Sequence, residues 1–208
     1  MKSVLISIRP KWCELIAIGK KTIEVRKTRP KIETPFKCYI YATKATKWFH
    51  SGPMLTSDEL LWFSNGKIKM CNWFELCADG EDYQCVNGKV IGEFVCDKIG
   101  EIWFSPGPHC EYVSDIENLY KASCLNFDEM FSYFGEGGGY GWHISDLKIY
   151  DKPRELSEFG RGCDAENTGE IHCRDCKKLV SFDDICEVMC KPLNRPPQSY
   201  MFVEETKK

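Results

Sequence analysis

The chain has 208 residues, of which 43% are apolar, 13% aromatic and 28% charged; that is enough for one real core and too mixed for collagen, long disorder or a membrane bundle. No apolar run approaches the roughly 20 residues that span a bilayer, and Arg9, Lys11 and Glu14 interrupt the opening stretch before any cleavage-like site, so a cytoplasmic protein is expected. The net charge of -3 hides a division: residues 1–47 hold twelve Lys or Arg against three acids, a local balance of +9, which fits either a basic face for an anionic partner or a solvated surface.

Residues 3–8 (SVLISI) form a short β-rich run, ended by Arg9 and Pro10, and proline suits the first turn of a helix. Trp12, Leu15, Ile16 and Ile18 then recur at near-helical spacing until Gly19, a natural C-terminal stop. Residues 21–27 (KTIEVRK) alternate, with Ile23 and Val25 on one face and Thr22, Glu24 and Arg26 on the other, as a half-buried strand requires. Residues 37–43 read as the next strand. Residues 56–63 (TSDELLWF) offer a hydroxyl cap followed by acids and read as a helix.

Residues 65–87 favour no element. Residues 88–103, punctuated by Gly92 and Gly100, read as a long bent strand or a strand pair. Residues 114–121 and 126–134 read as short helices, the second capped near Asn126 or Asp128, with Phe127, Met130, Phe131 and Phe134 as a core stripe. Residues 135–141 (GEGGGYG) read as a flexible loop that fits neither a Walker nor a dinucleotide fingerprint, since no GK[ST] follows and the next element is a strand. That strand, residues 142–153, ends at proline, and residues 198–205 read as a closing strand. Many short strands, few helices and no βαβ alternation predict an α+β chain built on a small mixed β-barrel with peripheral helices.

The string Gly19-Lys20-Lys21-Thr22-Ile23-Glu24-Val25-Arg26, read as G-x-K-x-x-E-x-R after a strand and a Pro-Trp helix, resembles the signature of ASCH domains, members of the PUA-like superfamily of RNA-associated barrels. The likeness covers about the first 50 residues by motif; PRELSEF and the later RPPQSY resemble a subset of ASCH proteins of bacterial and phage genomes. The resemblance implies a cleft for RNA or a modified nucleotide lined by Trp12, Lys21, Glu24 and Arg26. Read as chemistry, Lys21 offers a point charge with three donors, Arg26 a planar fork matched to phosphate, and Glu24 an acceptor for either cation or a base amino group. Trp12 offers a stacking surface for a nucleobase and equally fits the core.

Some ASCH relatives are amidohydrolases acting on acetylated cytidine through a lysine, a threonine nucleophile and a distant glutamate. Lys21 matches that lysine, whereas Glu24 stands at the threonine's position, and a carboxylate cannot copy an activated hydroxyl. Other relatives are linked with RNA cleavage, where lysine stabilises phosphate charge. An enzyme of either kind would act through Lys21 and Glu24, with His50 or His143 as conceivable acid or base. A protein–protein adaptor is the remaining alternative.

Thirteen cysteines are too few for a disulfide scaffold and, with no secretion signal, are expected to be reduced. Eight are scattered between Cys13 and Cys124 and read as small buried apolar residues. The other five follow the pattern C163-x9-C173-x2-C176-x9-C186-x3-C190. Cys173, Cys176, Cys186 and Cys190, with Cys163 as a substitute, fit a structural zinc site that would order a segment poor in apolar residues. A flexible reduced insertion is the alternative. The expected organisation is a barrel with helical insertions over 1–158, a Cys-rich segment over 159–192, and a closing strand and tail over 193–208.

Overall fold

A computed structural model describes residues 3–44, 60–70, 82–161 and 192–205. The chain is mostly strand, with three short α-helices among the described residues. β1 (Ser3–Ile8) is followed by α1 (Pro10–Ala17), β2 (Ile23–Arg26) and β3 (Phe36–Ala42). A hairpin of β4 (Leu61–Ser64) and β5 (Lys67–Met70) comes next, then β6 (Gln84–Cys85), β7 (Lys89–Cys96), β8 (Ile99–Ser105) and β9 (Glu111–Ser114). Two helices, α2 (Leu119–Ser123) and α3 (Phe127–Phe134), precede β10 (Gly139–His143), β11 (Ser145–Glu155), β12 (Phe159–Arg161) and β13 (Tyr200–Glu205).

The strands assemble into three sheets, ordered β11-β7-β3-β1-β13-β12, β2-β10-β8-β9 and β5-β4-β6; none closes on itself among the described residues. β1 lies inside the largest sheet, parallel to β3 and antiparallel to β13, so its apolar residues bury in both directions. Val4, Ile6 and Ile8 join the main core with Cys38, Ile40, Phe94, Leu61 and Phe63, and Leu5 joins a second cluster with Tyr39, Val90 and Phe159. Trp142 of β10 is wholly buried, 5.7 Å from Phe36 edge to face and 5.3 Å from Tyr200, and ties the four-stranded sheet to the six-stranded one. Fully burying an apolar side chain contributes about 1.5–3 kcal/mol. The far face of the four-stranded sheet, with Ile23, Val25 and Ile102, packs on Leu119, Met130 and Phe134 of the two later helices.

The first strand, the Pro-started helix and the alternating second strand lie where the sequence puts them, and residues 88–103 hold two successive strands, β7 and β8, that join different sheets instead of pairing with each other. Three readings change. The helix expected over 56–63 gives way to β4 from Leu61, because Asn65 and Gly66 both take positive φ (47° and 78°) and turn β4 onto β5; residues 56–59 lie outside the described residues. The helix expected over 114–121 begins only at Leu119, because Tyr112, Val113 and Ser114 pair with Phe104, Trp103 and Ile102. The strand expected to stop at Pro153 runs on to Glu155; β11 is an edge strand whose register shifts between Ile149 and Arg154, a place that spares proline a ladder donor. The core stripe of α3 holds for Met130 and Phe134, while Phe131 is 42% exposed. Gly139 to Gly141 belong to β10, so the glycine loop is shorter than expected.

Candidate functional site

α1 ends where Gly19 takes a left-handed φ of 73°. The Gly19 N–H donates to the Ile16 carbonyl and the Lys20 N–H to the Leu15 carbonyl, both at 2.9 Å, a paired closure that glycine enters without a Cβ penalty. The Lys21 N–H also reaches Leu15 O at 3.0 Å, and the next residue is held on both sides: the Thr22 N–H donates to Ala122 O and the Thr22 carbonyl accepts from the Ile144 N–H. The chain then extends into β2, whose alternation sends Ile23 and Val25 towards the helices and Glu24 and Arg26 the other way.

Three of the four residues expected to line a cleft form one network. Glu24 Oε1 lies 2.9 Å from Arg26 Nη2 and Glu24 Oε2 lies 3.4 Å from Lys21 Nζ. Each cation also donates to a backbone carbonyl, Lys21 Nζ to Ser123 O at 2.7 Å and Arg26 Nη2 to Ser7 O at 2.6 Å. The fourth, Trp12, stands over the network with its ring centroid 5.1 Å from Lys21 Nζ and 4.4 Å from Lys11 Nζ. It is part-exposed and packs against both core clusters, so it has the core role and an open edge at once.

All three charged side chains are buried, at 1%, 7% and 8% exposure for Lys21, Glu24 and Arg26. Two cations thus share one carboxylate away from water. Burial disfavours each charge, and one carboxylate can neutralise only one partner. Burial accordingly holds the Lys21 ammonium below its ordinary 10.5, against the opposing pull of Glu24. Arg26 Nε is buried and has no hydrogen-bond acceptor among the described residues, which leaves one donor of a charged fork unsatisfied among them. Nearby Cys13 is pushed well above its usual thiol range, first by burial and then by Glu24. Chemically, the network suits an added anion, and its lysine gives up its proton more readily than an exposed lysine does.

The remaining expected residues are not brought to this network. His143 donates its Nδ1–H to the Asp97 carboxylate at 2.6 Å, in a half-exposed pair beside Thr22, Lys98 and Glu117. His50, Cys163, Cys173, Cys176, Cys186 and Cys190 lie outside the described residues; among the described residues no group of three His, Cys, Asp or Glu could hold a metal. Of the scattered cysteines, Cys13, Cys38 and Cys96 are buried as expected, and Cys110 is exposed. Two hollows of about 220 Å³ flank the four-stranded sheet, and neither is lined by Trp12, Lys21, Glu24 or Arg26. Sequence reasoning missed Ser7 and Ser123, which act through main-chain carbonyls, and a carbonyl has no residue signature.

No family model matches the chain, and no curated protein matches it. Among solved structures, the chain is similar over 98% of its length to the ASCH protein of Zymomonas mobilis, at 17% identity and a TM-score of 0.48, covering 88% of that chain. A tyrosine-to-phenylalanine variant of the Zymomonas mobilis protein matches equally well, with 91% of that chain covered. Its serine-to-alanine variant matches at 18% identity and a TM-score of 0.45, with 89% covered.

Proposed function

We propose that the chain is a nucleic-acid-binding module of the PUA-like, ASCH type, taking an anionic group of RNA or of a modified nucleotide beside Lys21, Glu24 and Arg26. What carries this reading is the excess of one positive charge buried among the described residues, together with Arg26 Nε, which has no acceptor among them. A phosphate would balance the first and accept from the second. The G-x-K-x-x-E-x-R string supports the same reading through the family it resembles.

The test is binding of a fluorescent single-stranded RNA by fluorescence anisotropy, across a salt series, with thermal unfolding of each variant alongside. Affinity is expected to fall steeply with salt. Lys21→Met should lose about 10- to 100-fold in affinity, the range of a hydrogen bond to a charged group, with Tm unchanged or raised, because the Glu24–Arg26 pair it leaves is neutral. Salt-independent binding, no binding, or full affinity in Lys21→Met overturns the proposal.

One observation favours a second reading as a nucleoside amidohydrolase or ribonuclease: the depressed Lys21 gives a neutral amine more readily than an exposed lysine does. Turnover of acetylated cytidine or RNA that vanishes in Lys21→Met would select it.

A further inference from the structure

Strand pairing places more than the charged network on one face of the four-stranded sheet. Tyr140 of β10 stands opposite Arg26 on one side and opposite Glu101 on the other. Directly paired residues project to the same face, and Trp103, two residues beyond Glu101, joins them. The opposite face, carrying Ile102, is closed by the helices. Glu24, Arg26, Tyr140, Glu101 and Trp103 therefore form a continuous row that begins in the buried network and ends in solvent, where Trp103 is 47% exposed.

The outer part of this row is hollow. Lys27, Glu101, Trp103, Gly138, Gly139 and Tyr140 line a space of about 220 Å³, smaller than the roughly 300–1,000 Å³ of a drug-sized site, so it suits one ring system and not a whole nucleotide. Gly138 puts no side chain into it, and a Cβ there would collide with the Ile102 carbonyl oxygen. Gly139 faces the other way, where a Cβ would meet the Phe134 ring on the helix side, so the side chains lining the hollow are the Trp103 and Tyr140 rings with Lys27 and Glu101.

Two cations lie near the hollow. Arg29 Cζ is 5.9 Å from the Tyr140 ring centroid, and Lys27 lines the space itself while its Nζ sits 5.4 Å over the ring of Tyr133, which stands outside it. Both side chains are on exposed residues directly after β2. A large exposed indole beside a tyrosine, with cations at the rim, is the arrangement that binds single strands: rings take the base faces and cations take the phosphates. Glu101 adds an acceptor for an exocyclic amino group and disfavours a bare phosphate inside the hollow.

We propose that this hollow is a base-stacking subsite for single-stranded RNA, with one base against Trp103 and Tyr140, its flanking phosphates on Lys27 and Arg29, and the adjoining nucleotide leading along the row to Arg26. The subsite rests on the reading that Lys21, Glu24 and Arg26 take a nucleotide, and it makes the ligand a chain and not a free mononucleotide.

The experiment compares affinity for a fluorescein-labelled single-stranded RNA of about ten nucleotides, for the same sequence as a duplex, and for unlabelled cytidine monophosphate by calorimetry, in wild type, Trp103→Ala, Trp103→Phe and Lys21→Met. Trp103→Ala is expected to weaken single-strand binding by roughly 5- to 100-fold, to leave the monophosphate unaffected, and to be largely rescued by Trp103→Phe. The duplex, whose bases are already stacked, should bind more weakly than the single strand. Single-strand affinity unchanged in Trp103→Ala, with loss in Lys21→Met, overturns the subsite and leaves the network reading standing. Loss in Trp103→Ala with none in Lys21→Met upholds the subsite and overturns the network reading. Duplex binding equal to single-strand binding, or no RNA binding at all, overturns the subsite.

Discussion

Lys21 carries the electrostatic weight of the molecule. Its ammonium is held below the ordinary 10.5 chiefly by burial, so while both folded and unfolded chains keep the proton, that charge costs stability. As pH rises through the folded pKa towards 10.5, the unfolded chain binds a proton that the folded one has released, and Lys21's contribution to unfolding free energy climbs. An NMR titration of the lysine side chains is expected to give Lys21 a midpoint below 10.5 that moves up when RNA is added; a midpoint at or above 10.5 in the free protein contradicts the charge-excess argument. Glu24→Gln, which strands two buried cations, should cost about 3–5 kcal/mol in a denaturant melt, more than Lys21→Met does. The grouping of Glu24 with Arg26 was legible because strand periodicity puts alternate residues on one face. Their anchoring to Ser7 and Ser123 was not, since it depends on which main chain happens to lie within reach.

At the scale of elements, two helix ends set the site's frame. The left-handed Gly19 turns the chain from α1 towards Lys21, and a Cβ there meets no atom within 4 Å, so a substitution costs conformational strain alone. Gly19→Ala should therefore destabilise by about 1–2 kcal/mol and Gly19→Asn by less. At α3, Asn126 Oδ1 accepts from the Glu129 N–H at 2.8 Å and Glu129 returns a bond to the Asn126 N–H at 3.0 Å. Glu129 also holds Lys11 at 3.0 Å, tying this cap to α1. Asn126→Ala should cost about 1 kcal/mol, and equilibrium denaturation of both variants checks the pair. The first end was legible because glycine carries its chemistry in the absence of a side chain; the second was narrowed to Asn126 or Asp128, and the structure selects Asn126 with Glu129. The Asn65-Gly66 turn was equally written in the sequence and was masked by an apolar run, LLWF, too short to tell helix from strand.

For the whole molecule, the pattern of short strands with few helices predicted a strand-rich chain, and the structure has that character. It did not reveal that β2 leaves its neighbours β1 and β3 to join another sheet, because strand order depends on long-range pairing. The cysteine pattern gives a prediction of the same scale: if Cys173, Cys176, Cys186 and Cys190 hold a structural zinc, metal analysis of purified protein will find about one zinc per chain, and Cys173→Ser will lose it. Metal-free protein of unchanged Tm would remove the zinc proposal.

The register of β1 has a consequence for how the protein is made. Ser3 pairs with Val203 and Leu5 with Met201, so β1 leaves the ribosome nearly two hundred residues ahead of the strand it pairs with. At roughly 5–20 residues per second of synthesis the delay is about 10–40 seconds. For that interval the edge of a Val-Leu-Ile strand lacks its antiparallel neighbour, and nascent chains stalled before residue 200 should be the ones that chaperones hold.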